Sequence, residues 1–191
     1  MMAEGTRGKG LILHKTIVLV GMMGAGKTAV GRTLAGQIGV PFRDSDHEIE
    51  EAANMTIAEI FERDGETFFR RKETQVIDRL LDGTPCVLST GGGAFMAEGN
   101  RAMISRKGVS VWLNADLETL WERVRHKTTR PLLRSADPKA TLRALYEKRV
   151  PTYALADVTV MSEAHRALDA MGRIVRDTLL ETRPDVLESL T

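Results

Sequence analysis

The 191 residues hold 27 Lys and Arg against 26 Asp and Glu, a formal net charge of +1 at pH 7, with 42% hydrophobic and 28% charged residues. That is the composition of one globular domain able to bury its own core, and its near-neutrality argues against a broadly basic nucleic-acid binder. No apolar run approaches a membrane span, Leu11 to Leu13 is too short for a signal-peptide core, and the single Cys86 reads as a reduced core thiol, so the chain is expected in the cytoplasm.

In chain order, residues 1–14 lack periodicity and read as a loose leader. Thr16 to Val20 is a continuous apolar run of the kind found inside a parallel sheet covered on both faces. It leads into Gly21-Met22-Met23-Gly24-Ala25-Gly26-Lys27-Thr28 and then a helix-patterned segment, Ala29 to Ile38, that stops at Gly39. Strand, glycine loop and helix are the setting a G-x-x-x-x-G-K-[ST] phosphate loop requires, with inward N–H groups and a helix N-terminus facing phosphate. Lys27 is expected on the β- and γ-phosphates and the Thr28 hydroxyl on Mg²⁺. A nucleotide triphosphate site follows, and the basic stretch from Arg101 to Arg149 suits a small anionic ligand such as ATP.

Pro41 to Asp46 reads as a short second strand whose carboxylates, Asp44 and Asp46, share one face. One of them suits the Mg²⁺ shell and the other a substrate hydroxyl; the spacing equally fits Asp46 as the cap of a helix starting at His47 or Glu48. Thr56 and Glu59 have capping-box spacing for a helix ending at Gly65, and a further helix runs from about Glu66 to Leu81. Within it Arg70 and Glu73 stand at i, i+3: either an ordinary exposed ion pair or a guanidinium held ready for bidentate capture of a carboxylate.

Cys86 to Thr90, the third strand, runs into Gly91-Gly92-Gly93, which permits close approach to a ligand or simply a flexible turn. Its tip carries no acid, so Asp44, through a water, substitutes for the usual metal-binding aspartate. Val109 to Leu113 is the fourth strand, with Asn114 or Asp116 capping the next helix. The polar loop to Arg134 reads as a cover bearing Arg130 over the γ-phosphate or as a surface loop with incidental arginines. Asp137 and Pro138 open a helix reaching Val150, with Arg149 at its end. Asp157 to Met161 is the fifth strand, Ser162 a cap for the last helix, and the tail after Thr182 is expected to fray.

Taken together, GMMGAGKT, DSD, FRRKE, STGGG, RPLL and RVPTYALAD, in this order from Lys15 to about Arg166, resemble the shikimate kinases. The resemblance implies a three-layer α/β P-loop kinase fold, a five-stranded parallel sheet in the order 2-3-1-4-5 with helices on both faces, in a single domain over 15–182 with a mobile lid at about 125–137 and a tail over 183–191. It implies transfer of the γ-phosphoryl group of ATP to the 3-hydroxyl of shikimate, on the route to chorismate and the aromatic amino acids, by a monomer needing Mg²⁺ and neither nucleic acid nor membrane. Gly24, Ala25, Gly26, Lys27, Thr28 and Ala29 match the ATP-binding loop, and Thr28 and Asp44 match the metal contacts, Asp44 through water. Asp46 matches the aspartate on the shikimate hydroxyl, Arg70 and Arg149 the arginines on its carboxylate, with Glu73 orienting Arg70. Gly91, Gly92 and Gly93 match the glycines beside the ring, and Arg130 the lid arginine. Lys27, Asp46 and Arg130 are the catalytic set. Whether Arg123 or Arg125 meets adenine stays open.

Overall fold

The computed structural model describes residues 6–8, 10–127 and 134–190. The described elements in chain order are β1 (Thr6–Gly8), β2 (Leu11–Leu13), β3 (Thr16–Val20), α1 (Lys27–Ile38), β4 (Phe42–Asp44), α2 (Ser45–Ala53), α3 (Ile57–Leu81), β5 (Val87–Ser89), α4 (Glu98–Lys107), β6 (Gly108–Asn114), α5 (Leu117–Val124), α6 (Pro138–Tyr153), β7 (Val158–Met161), α7 (Leu168–Thr182) and β8 (Leu187–Ser189). A short 3₁₀ turn, Ala94–Met96, precedes α4.

Five parallel strands form one sheet in the order β4-β5-β3-β6-β7, which is the expected 2-3-1-4-5 counted within that sheet, and helices cover both of its faces. Every residue of β3 and the first six of β6 are buried, as strands in the middle of a doubly covered sheet must be. Ile17, Val18 and Leu19 of β3 pack in one core with Leu34 and Ile38 of α1, Leu113 of β6 and Val175 of α7. A smaller cluster of Ile49, Ile60, Phe69 and Val76 joins α2 to α3 beside the sheet.

The predicted boundary at Gly65 is present as a break inside α3: Gly65 has φ 81° and ψ 172°, and helix resumes beyond it. The capping box of Thr56 and Glu59 is complete on both sides, with Thr56 N donating to Glu59 Oε2 at 2.7 Å and Glu59 N to Thr56 Oγ1 at 3.2 Å.

Three local expectations are corrected. Asp44, and not Asp46, caps α2: its Oδ1 accepts from the N–H groups of Asp46 (3.0 Å) and His47 (3.3 Å), so the helix starts two residues earlier and Asp46 rides in its first turn. Ser162 does not cap α7, whose N-cap is Ala167; the Ser162 hydroxyl donates instead to Ala25 O at 2.9 Å. The segment before Lys15 and the tail are not wholly loose, because β2 pairs antiparallel with β8 and also with β1. Leu13, Val186 and Leu187 are fully buried in the main core, and His14 N donates to Val186 O at 2.8 Å. Leu13 on β2, Leu187 on β8 and Val186 just before it hold these ends in place, although neither strand is long enough to show a period.

Candidate active site

β3 delivers the chain into the phosphate loop and α1 carries it away. Gly24 has φ 81°, and a Cβ there would stand 2.7 Å from Val124 Cγ1, so only glycine fits between the loop and α5. Lys27 Nζ donates to Gly21 O (2.7 Å) and Met22 O (3.0 Å), which lays its ammonium across the loop. Residues 24–29 line a cleft of about 510 Å³ whose other walls include Asp44, Asp46, Gly91 and Gly92.

At the start of α1 Thr28 Oγ1 donates to Asp44 Oδ2 at 3.1 Å and lies 3.4 Å from Ser89 Oγ at the tip of β5. Among the described residues no three His, Cys, Asp or Glu side chains converge on a metal position. One hydroxyl and one carboxylate are nevertheless a donor set that suits Mg²⁺, which takes few protein oxygens and keeps water and phosphate for the rest of its shell.

Deeper in the cleft, the glycines after β5 are ringed by the residues expected to meet an acceptor. A Cβ on Gly91 would lie 2.8 Å from Asp46 Oδ1 and 3.2 Å from Glu73 Oε1; one on Gly93 would overlap the Arg70 guanidinium; one on Gly92 would lie 3.1 Å from Arg149 Nη1. The structure therefore brings Asp46, Arg70, Glu73 and Arg149, from α2, α3 and α6, around one turn.

Arg70 Nη1 donates to Glu73 Oε2 at 2.9 Å, and the Glu73 side chain is only 1% exposed against 34% for Arg70. This is not the exposed ion pair that the spacing alone allows. A buried glutamate holds one nitrogen of a guanidinium that stays about a third exposed, its other nitrogen only loosely paired with the exposed Glu66 at 3.5 Å, an arrangement able to present Arg70 to a carboxylate. Asp46 Oδ1 and Glu73 Oε1 are buried without a protein hydrogen-bond partner, so the turn offers two acceptor oxygens to a ligand's hydroxyl groups.

Burial pushes the Asp46 carboxyl from its ordinary 3.8 up to about 6; the Asp44 charge adds to the rise and Lys27 opposes it. Burial also raises the Glu73 carboxyl, against the pull of Arg70. A carboxylate poised near 6 beside a phosphate loop is equipped to take a proton at neutral pH.

Arg123 and Arg125 stand in different surroundings, Arg123 against the phosphate loop. Its Nη1 donates to Gly24 O (3.1 Å), Ala25 O (3.4 Å) and Ser162 Oγ (3.1 Å), and its Nη2 to Glu163 O (3.1 Å). Arg125 is paired with Glu122 at 3.1 Å on the surface. Arg123 is thus the arginine at the phosphate loop, in step with Leu120 and Val124 of the buried face of α5. Sequence reading missed the placement of Ser89, Ser162 and Tyr153. The signal for Tyr153 is its i, i+4 spacing from Arg149 on one helix; Ser89 and Ser162 carry none, because a serine at a strand tip is ordinary. Arg130 lies outside the described residues, as do residues 128–133 of the expected lid.

The family model described as "Shikimate kinase" matches residues 23–179. The chain is 67% identical over 187 residues to a shikimate kinase of Ruegeria pomeroyi, covering 97% of this chain and 95% of that one. It is 67% identical over 177 residues to a shikimate kinase of Cereibacter sphaeroides, covering 93% and 88%. The fold superposes on the shikimate kinase from Acinetobacter baumannii in complex with shikimate with a TM-score of 0.84 and 39% identity, over 88% of this chain and 94% of that one. A family model that matches residues 23–179, with relatives 67% identical over nearly the whole chain, places this chain in the shikimate kinase family.

Proposed function

We infer that the protein transfers the γ-phosphoryl group of ATP to the 3-hydroxyl of shikimate, giving shikimate 3-phosphate and ADP in the supply of chorismate and the aromatic amino acids. The observation that carries the acceptor assignment is the single turn, Gly91 to Gly93, with the unpartnered oxygens of Asp46 and Glu73 beside Gly91, the Arg149 guanidinium beside Gly92 and the Arg70 guanidinium beside Gly93. A ring bearing both hydroxyls and a carboxylate finds partners for each of them there.

In this reading Arg70, oriented by Glu73, and Arg149 grip the acceptor carboxylate and fix the ring. Asp46 accepts the hydrogen bond of the reacting hydroxyl and takes its proton as the oxygen attacks phosphorus. Lys27 and the N–H groups of residues 24–29 hold the phosphate chain, and the N-terminus of α1 adds its partial positive charge. Bound Mg²⁺ would draw charge from the phosphate oxygens, with Thr28 holding it directly and Asp44 through water. Arg130 is assigned to the developing charge on the transferred group. Phosphoryl transfer asks little else of a protein than such positioning and neutralisation.

Action as a monomer in the cytoplasm, where ATP is at hand, belongs to the same reading. Among the described residues no helix is long and apolar enough to cross a membrane. The test is ADP release in the presence of ATP and Mg²⁺ with shikimate, gluconate, quinate or no acceptor. Release that depends on shikimate is expected. Release with another acid would discard the acceptor assignment, and none with any acceptor would overturn the kinase reading.

A further inference from the structure

The acceptor side of the cleft contains a hydroxyl with no part in the steps above. Tyr153 closes α6, its side chain is fully buried, and its ring stacks on Trp112 of β6 with centroids 6.1 Å apart and planes 25° from parallel. Its hydroxyl donates to Gly92 O, in the middle of the glycine turn. Arg149 precedes it by one helical turn on α6. A Cβ on Gly92 would stand 3.1 Å from Arg149 Nη1 and 3.8 Å from Tyr153 Oη, so one point on the turn is close to both.

We propose that Tyr153 is a positioning residue for the acceptor: its hydroxyl fixes the Gly92 carbonyl against α6, and so sets the spacing between the glycine turn and the Arg149 guanidinium. The inference rests on the reading of Arg149 as a carboxylate-binding group. A flexible glycine turn needs such an anchor, since three consecutive glycines supply no side chain of their own to hold it. The aromatic ring is itself locked by Trp112, which leaves the hydroxyl few other directions. Burial pushes the phenol up to about 12, against the opposing Arg149 charge, so the group remains a hydrogen-bond donor across the working pH range. On the far side of the same turn Asn100 Nδ2 donates to Ala94 O at 2.9 Å while its Oδ1 accepts from Thr74 Oγ1 at 2.8 Å. Gly92 is therefore tied to α6 through Tyr153, and Ala94, directly after the glycines, to Thr74 of α3 through Asn100; these are the two helices that carry Arg149 and Arg70.

The experiment is Tyr153→Phe, which keeps the ring and its stacking and removes the one hydroxyl. Steady-state kinetics of wild type and variant are measured against both substrates, with the rise in melting temperature caused by shikimate alone as a binding readout independent of turnover. KM for shikimate is expected to rise about tenfold, as loss of one buried hydrogen bond near a charged group allows, while KM for ATP stays within about twofold. The shikimate-induced rise in melting temperature shrinks in parallel. Combined with Arg149→Lys, the two losses are expected to be less than multiplicative, because both act on one contact. An unchanged KM for shikimate, equal rises for both substrates, or fully multiplicative losses would each overturn the proposal. A wild-type protein that fails to use shikimate at all would overturn the acceptor reading instead, and the wild-type arm separates that failure from this one.

Discussion

Asp46 on α2 and Glu73 on α3 close on the same point: oxygens of both carboxylates lie within 2.8 and 3.2 Å of where a side chain on Gly91 would begin. Two acids raised by burial face one glycine, and the absence of a side chain at that position is what keeps the space beside them clear.

Gly91→Ala puts a methyl group into that space. Asp46 must shift and Glu73 must give by a few tenths of an ångström, where about 1 Å at a reacting group costs on the order of a hundredfold in rate. Shikimate-dependent turnover is expected to fall by about tenfold while ATP binding, measured by nucleotide displacement, is retained.

Asp46 should govern the acid limb of activity. With its carboxyl at about 6, kcat/KM for shikimate is expected to fall tenfold per pH unit below that value and to level off above it. The stability effect has the opposite sense. A carboxyl raised in the folded state holds its proton more tightly there than in the unfolded chain, so ionising it destabilises the fold as pH rises from about 4 through about 6. The shift from 3.8 to about 6 corresponds to about 3 kcal/mol, an upper bound for the stabilisation expected from Asp46→Asn at pH 8. The same variant is expected to lose on the order of a hundredfold or more in kcat. Thermal unfolding and a pH–rate series test both halves; an Asn variant that is less stable at pH 8 and equally active would remove Asp46 from the role of base.

Arg70→Lys keeps a positive charge beside Glu73 and removes the planar fork. KM for shikimate is expected to rise by roughly ten- to a hundredfold, with kcat changed much less. Kinetics with shikimate as the varied substrate check this, and an unchanged KM would mean that charge alone, without bidentate geometry, serves the acceptor carboxylate.

Arg130→Ala addresses the residue assigned to the transferring group. Turnover is expected to fall by roughly a thousandfold if it neutralises transition-state charge as arginine fingers do. Turnover within tenfold of wild type would take it out of that role.

The legible parts of this protein were those written in consecutive residues. Lys27 and Thr28 follow the strand and loop they depend on, so the motif carries its own context, and Arg70 and Glu73 meet by helical spacing alone. What that spacing did not reveal is that Glu73 is buried, which separates an oriented guanidinium from a surface ion pair. The cap of α2 was misplaced by two residues because Asp44 and Asp46 are chemically alike, and only the hydrogen bonds from Asp46 N and His47 N tell them apart. The convergence of Asp46 and Glu73 on Gly91, and of Ser162 and Arg123 on Ala25, joins positions distant in the chain through the sheet, and no local pattern encodes such meetings.

The pairing of β2 with β8 also bears on how the chain matures. Leu11 opposes Ser189 and Leu13 opposes Leu187, so the buried Leu13 waits for a partner more than 170 residues later, by the register of β2 and β8. During synthesis the parallel sheet has all of its strands once Met161 has emerged, whereas the small antiparallel sheet lacks β8 until residues 187–189 follow. Closing so long a loop adds only slowly growing entropy, so the clasp forms readily once both partners exist. Of the two sheets, the small one is therefore the later to have all of its strands.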